Sequence, residues 1–257
     1  MSLFLAPQPA EVDAALARIA AAAALPRAAA ASASVRVLDV GTGTGALVPH
    51  LLCAGATHVL GCDVSAAMLA AAQRAHPPPG PCGNAAGARF RLGDVADLPA
   101  YEGPFDAAFF NAVFGNVHDQ REALVRAALL LRPGGCVVVS HPLGAAYVAQ
   151  LRREDPAIVP HALPDAQRWA ELLQGLPLRL EALHDEAGYY CATLRLPPRL
   201  ALPDGPRRLR AGVVRGFGRG SRQMGVPTAN MDPEELGAQL HGALPLLDCF
   251  YYLIFIA

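Results

Sequence analysis

Val37-Leu-Asp-Val-Gly-Thr-Gly-Thr-Gly45 joins an apolar run to three alternating glycines. Residues 35–40 are few and largely apolar, the composition of a strand buried on both faces of a parallel sheet. The glycines mark a sharp exit from that strand, and helical composition follows through Leu51 and Leu52. The alternation then repeats. Residues 57–63 predict a second strand, and Ser65 stands where it can cap a helix over 66–75. Residues 76–87 hold four prolines and three glycines and predict a surface loop. Further strands are expected at 88–92, 105–111 and 136–141, with a helix over 120–131 closed by Pro133-Gly-Gly135. Upstream, residues 11–25 predict a helix that Pro26 and the alanine-rich 28–34 bring to an end. Strand alternating with helix is the pattern of a doubly wound α/β sheet. Beyond a helix around 165–173, strand-like runs at 178–184 and 189–196 flank Asp185-Glu-Ala-Gly188, a hairpin-length turn. An antiparallel pair therefore closes the sheet where a dinucleotide-binding domain would usually add a parallel strand.

The 257 residues are 53% hydrophobic and 17% charged, enough to bury a sizeable core and too apolar for wholesale disorder. A formal net charge of -1 gives no electrostatic drive toward nucleic acid. All 21 basic residues are arginine. The lack of lysine excludes a Walker phosphate loop with its lysine, a protein-kinase ATP lysine and Schiff-base chemistry on the chain's own amine. Cys53, Cys62, Cys82, Cys136, Cys191 and Cys249 form no Cys-x-x-Cys pair, which predicts reduced thiols used as small hydrophobes. The first ten residues lack the basic-then-apolar pattern of a secretory signal, and no run reaches the roughly 18 apolar residues of a membrane span. The expectation is a cytoplasmic location, an organelle being the alternative, with neither membrane nor nucleic acid as partner.

Three acidic residues stand at the expected strand ends. Asp39 precedes the first glycine by two positions, Asp63 ends the second strand, and Asp94 follows the third. In an open α/β sheet, the crevice at the strand carboxyl ends is the expected binding position. Glycines at 41, 43 and 45 let backbone approach a ligand where a Cβ would intrude. Asp63 has acceptors for the vicinal hydroxyls of a ribose, and Asp94 for an adenine amino group. Asn111 follows the fourth strand, on the rim where a second substrate would lie. Two ligands compete for this arrangement. A nicotinamide dinucleotide fingerprint spaces its glycines Gly-x-Gly-x-x-Gly, whereas here the order is Gly41-x-Gly43-x-Gly45. Asp39 would repel a pyrophosphate and attract a cationic amino-acid group. Both facts favour a cationic, phosphate-free nucleoside. Taken singly, Asp39 also reads as a loop contact and Asp94 as a cap.

Residues 35–196 resemble a class I S-adenosylmethionine-dependent methyltransferase. The resemblance rests on Val37-Leu-Asp-Val-Gly-Thr-Gly-Thr-Gly45, Gly61-Cys-Asp-Val-Ser65, Gly93-Asp-Val-Ala-Asp-Leu-Pro99 and Leu131-Arg-Pro-Gly-Gly135. It implies a Rossmann-like seven-stranded sheet with a terminal antiparallel pair, in a domain over 1–198. It further implies that Asp39 lies near the methionine ammonium, that Gly41, Gly43 and Gly45 face the cofactor, and that Asp63 holds the ribose and Asp94 the adenine. A sulfonium methyl is already activated, so such a site mainly aligns an acceptor and excludes water. The methyl acceptor, expected to be a small molecule, has no readable motif; its specificity is expected from loops and from a lid contributed by residues before Val35 or between Leu143 and Pro164. Near the fourth strand the catalytic candidates are Asn111, Asn116, His118 and Asp119. His118 and Asp119 have the chemistry to assist deprotonation, although a histidine after a strand is more often a loop or capping residue. His141, after the fifth strand, is a similar case.

Pro197-Pro198 and Pro203-Asp-Gly-Pro206 make a stiff connector, after which the composition changes. Residues 207–222 hold six arginines among glycines, and Gly225-Val-Pro-Thr-Ala-Asn230 follows. From the residues alone this is either a solvated arginine-rich tail or a phosphate site. In the second case glycine amides and Arg219 wrap the anion, and Thr228 and Asn230 offer oxygen to Mg²⁺. The wording is similar to the opening of a riboflavin kinase, a family whose small β-barrel transfers the ATP γ-phosphate to riboflavin. The similarity covers about 207–230. It implies Mg-ATP near Gly218, Arg219 and Gly220, with Thr228 and Asn230 on the metal. The later strands and glutamate base of that family do not follow before Ala257. The segment 207–257 is therefore expected to be a partial β-barrel, incomplete as a kinase. Three functions stand side by side: methyl transfer, a flavin kinase carrying an appended first domain, and noncatalytic nucleoside binding. The sequence says nothing of the oligomeric state.

Overall fold

The computed structural model describes residues 8–25, 34–77 and 87–198. Strand β1 (Arg36–Val40) lies between β2 (His58–Asp63) and β4 (Phe105–Asn111) and runs parallel to both. Strand β3 (Gly87–Leu92) continues the sheet beyond β2, and β5 (Leu131–His141) continues it beyond β4, again in parallel. The pair β6 (Arg179–Glu186) and β7 (Tyr189–Arg195) completes the order β3-β2-β1-β4-β5-β7-β6, with β7 antiparallel to both neighbours. This is the seven-stranded Rossmann-like sheet expected above. Glu186 pairs with Tyr189, so the closing hairpin turns on Ala187 and Gly188 alone.

Helices cover both faces because successive strand side chains point to opposite sides. Val37, Phe109 and Val138 pack in one buried cluster with Leu16 and Ile19 of α1 (Pro9–Ala22) and Leu51 of α2 (Val48–Cys53). Their sequence neighbours Leu38, Phe110 and Val139 pack in the other. Ser65 caps α3 (Ala66–Ala75) as expected, accepting from the Met68 amide at 3.3 Å. The second cluster also holds Leu124 of α4 (Gln120–Leu130) and Trp169, a residue of the helix over Ala166–Leu173.

Two expectations are revised. Residues 143–164 are not all loop: they contain α5 (Gly144–Glu154), and the Ala166–Leu173 helix that follows is α6. Pro133-Gly-Gly135 does not close a helix either. Helix α4 already stops at Leu130, and the triplet lies inside β5. There Phe105 pairs with Leu131 but Ala107 with Cys136, so residues 132–135 bulge opposite Asp106. A bulge asks for no ladder hydrogen bond from a proline that has none to give. Cys53, Cys62, Cys136 and Cys191 are free thiols. Among the described residues no helix is long and apolar enough to cross a membrane, and no cluster of three or more metal-ligating side chains occurs. The 207–257 segment, with its partial barrel, lies outside the described residues, as does most of the 76–87 loop.

Candidate functional site

The carboxyl ends of β1, β2 and β4 open onto a cleft. Its walls include Gly41, Cys62, Asp63, Gly93, Asp94 and Val113, with Asn116 at one side. The loop after β1 is tied to the end of β2. The Thr42 amide donates to the Cys62 carbonyl at 3.0 Å, and the Gly43 amide to Asp63 Oδ2 at 2.8 Å. The Ser65 amide donates to Asp63 Oδ1 at 2.8 Å. Each carboxylate oxygen keeps a further lone pair for a ligand. Burial is the main cause that raises the Asp63 pKa, with the amides of Ser65 and Gly43 opposing it. Asp94 Oδ1 accepts from the Ala96 amide at 2.8 Å and caps a 3₁₀ turn, while the residue still faces the cleft.

Asp39 lies behind the wall rather than in it. It is 2% exposed and accepts from the Thr42 hydroxyl at 2.7 Å. Burial pushes its carboxyl up to about 7, helped by the Asp63 charge and opposed by the Thr42 hydroxyl. None of Asp39, Asp63 and Asp94 pairs with an Arg or His among the described residues. Asp63 and Asp94 at the cleft, with Asp39 behind them, have no counter-ion among the described residues and so favour a cation over an anion.

The glycines have different reasons to be glycine. Gly41 has φ +64°, and a Cβ there would lie 2.5 Å from Val113 Cγ2. A Cβ on Gly45 would meet the His76 ring at 2.7 Å, so that glycine lets the end of α3 close on the loop. Gly43 and Gly45 are in the loop but not in the cleft lining. The structure brings together Gly41, Asp63 and Asp94 and sets Asp39 just behind them. Three of the catalytic candidates lie elsewhere. Asn111 accepts from the Ser140 hydroxyl at 3.1 Å and lines no part of the cleft. His118 is exposed, with its carbonyl accepting from His161 Nε2 at 2.9 Å. Asp119 caps α4 by accepting from the Glu122 amide at 2.9 Å. Asn116 does line the cleft, its amide donating to the Ile158 carbonyl at 3.0 Å. Sequence reasoning missed the apolar walls Val64, Val95 and Val113, which carry no chemical signal of their own. Gly218, Arg219, Gly220, Thr228 and Asn230 fall outside the described residues.

A family described as Methyltransferase domain matches residues 38–139, the span that carries β1 through most of β5. Over that span the chain is similar to methyltransferase domains. A demethylmenaquinone methyltransferase of Paenarthrobacter aurescens is 32% identical to the domain over 128 residues, 47% of each chain. A solved S-adenosylmethionine-dependent methyltransferase of Mesorhizobium loti shares the domain's fold with a TM-score of 0.53. The two are 22% identical, over 72% of this chain and 99% of that one. Downstream of the methyltransferase domain, a family described as Riboflavin kinase matches residues 204–243. The chain is also 56% identical to the riboflavin kinase of Aspergillus clavatus over 34 residues, 13% of this chain and 16% of that protein. The chain thus spans less than half the length of either curated relative.

Proposed function

We propose that the domain transfers a methyl group from S-adenosylmethionine to a small, largely apolar acceptor. The observation that carries this reading is that Asp63 and Asp94 at the cleft and Asp39 behind it have no counter-ion among the described residues. A pyrophosphate would meet only repulsion there, whereas a cationic nucleoside is matched in charge and in hydrogen-bond acceptors. In this reading Asp63 takes the ribose hydroxyls, Asp94 faces the adenine, and Asp39 acts through the glycine loop on the cationic amino-acid end. S-adenosylmethionine supplies an activated methyl, so the chain's residues have three tasks: to bind it, to hold the acceptor in line and to keep water out.

Calorimetry with S-adenosylmethionine tests the reading. Asp63→Ala is expected to weaken binding by roughly ten- to a hundredfold, the worth of one or two hydrogen bonds to a charged group. A nicotinamide dinucleotide should give no heat. Absence of binding to the wild-type chain, or no loss in the variant, would overturn the proposal. Cofactor binding without turnover across a broad acceptor panel would favour a noncatalytic nucleoside-binding role.

The match at 204–243 supports a second reading, with Thr228 and Asn230 on Mg²⁺ and Gly218, Arg219 and Gly220 near ATP. Its test is incubation with riboflavin, ATP and Mg²⁺. Formation of flavin mononucleotide would establish it, and a blank result would leave methyl transfer as the activity.

A further inference from the structure

A second, narrow cavity shares a wall with the cleft: Val113 and Asn116 line both. Most of the remaining wall is apolar, from Ala112, Val148, Leu151, Val159 and Leu163. His141, at the end of β5 and 4% exposed, is the ionisable side chain in that wall. Its ring is fixed from one side, because the Leu143 amide donates to Nδ1 at 3.1 Å and the ring lies 5.4 Å from that of Tyr147. A ring nitrogen that accepts carries no proton, so the proton of the neutral imidazole is on Nε2. Among the described residues Nε2 has no hydrogen-bond partner. Burial keeps the ring neutral, holding its pKa down to about 4. Nε2 is not sealed off, so a guest that brings an acceptor has an open donor to engage at this wall.

We propose that this second cavity receives the methyl acceptor, that the acceptor is a compact, largely apolar molecule with a carbonyl-type oxygen, and that His141 holds this oxygen by donating from Nε2. Calling the guest a methyl acceptor rests on the methyl-transfer reading; the chemistry of the guest does not. The apolar walls disfavour a charged guest, since they offer a charge nothing in place of water. His141 is a positioning residue and not a general base. With Nδ1 engaged by Leu143, Nε2 has no lone pair to take up a proton.

The test uses the full chain without any cofactor. The probes are acetophenone and ethylbenzene, close in shape but differing in the carbonyl oxygen. Nitrogen-15 NMR of labelled histidines should show the Nε2–H form of His141 at neutral pH. Acetophenone should shift the His141 Nε2 signal and the Ala112 and Val148 amides. It should bind roughly fivefold tighter than ethylbenzene, about the worth of one neutral hydrogen bond. His141→Phe should erase the difference between the probes, and His141→Gln, which keeps a donor, should retain it. Val159→Phe fills the cavity from another wall and leaves His141 in place. It should abolish binding of both probes, which keeps the inference testable even where His141→Phe fails to fold. An Nδ1–H tautomer, equal affinities for the two probes in the wild-type chain, or shifts confined to other surfaces would overturn it. Failure of S-adenosylmethionine to bind would overturn only the methyl-transfer reading.

Discussion

Asp39 and His141 are buried titratable groups with opposite consequences for pH. The Asp39 carboxyl, at about 7 in the fold against an ordinary 3.8, keeps a proton that the unfolded chain has already released. Its contribution to stability therefore falls as pH rises from about 4 to 7, and above that the buried charge is a cost. Asp39→Asn keeps the shape and a partner for Thr42 while removing the charge. It should stabilise the ligand-free protein by up to a few kcal/mol at pH 8 and by little near pH 4, as read from thermal melts. The same variant should lose affinity for S-adenosylmethionine. A cationic ligand needs the carboxylate, so binding by the wild-type chain should release a proton. Its Kd should weaken about tenfold per pH unit below 7, whereas adenosine, which is neutral, should show no such slope. Calorimetry across that pH range checks both ligands. His141 runs the other way. Its folded pKa lies near 4, below the ordinary 6.5, so native stability should fall as pH drops through that window. His141→Gln should flatten that decline in acid melts.

At the scale of elements, the turn between β1 and α2 joins fold to site. Gly41→Ala meets both a left-handed φ and Val113 at 2.5 Å, so something must move. The expected cost is about 1–3 kcal/mol, with loss of cofactor binding because Val113 is displaced within the cleft wall. Gly43→Ala has open space and only the backbone strain, about 1 kcal/mol, and should still bind. Adding Val113→Ala to Gly41→Ala should recover part of the stability, and denaturant melts would show it. In the cluster that also holds Val113, Trp169 Nε1 donates to the Tyr190 hydroxyl at 2.7 Å, and that hydroxyl donates to the Pro164 carbonyl. The elements themselves were legible in the sequence to different degrees. Strands β1, β2 and β4 stood out because burial on both faces leaves them almost wholly apolar. Ser65 announced α3 by its capping chemistry. Helix α5 was hidden because its buried positions, Gly144 and Val148, are too few to make a stripe among Gln150, Arg152 and Arg153. The β5 bulge was hidden because Pro-Gly-Gly breaks helices and strands alike, and only the pairing with Asp106's neighbours shows which. Asp63, Asp94 and Gly41 were readable as strand-end residues. The role of His141 depends on which nitrogen meets the Leu143 amide, a relation no spacing encodes.

Across the whole molecule, the described strands lie between Arg36 and Arg195, and the outer two carry charge. On β3, Arg89 and Arg91 pair with Glu102; on β6, Glu181, His184, Asp185 and Glu186 are exposed. Charged outer strands resist edge-to-edge pairing with another copy. Among the described residues, both buried clusters are built from residues 16–196. A fragment of residues 1–198 should therefore fold without the remainder, run as a monomer in light scattering and melt in one transition. It should bind S-adenosylmethionine within about twofold of the full chain. At a ligand concentration of about 100 times Kd its stability should rise by about 2.7 kcal/mol, seen as a higher Tm. A fragment that aggregates through its edges, or that folds yet loses the cofactor, would mean that residues beyond 198 complete the methyltransferase domain. The cleft would then have to be explained from the whole chain rather than from the seven strands alone.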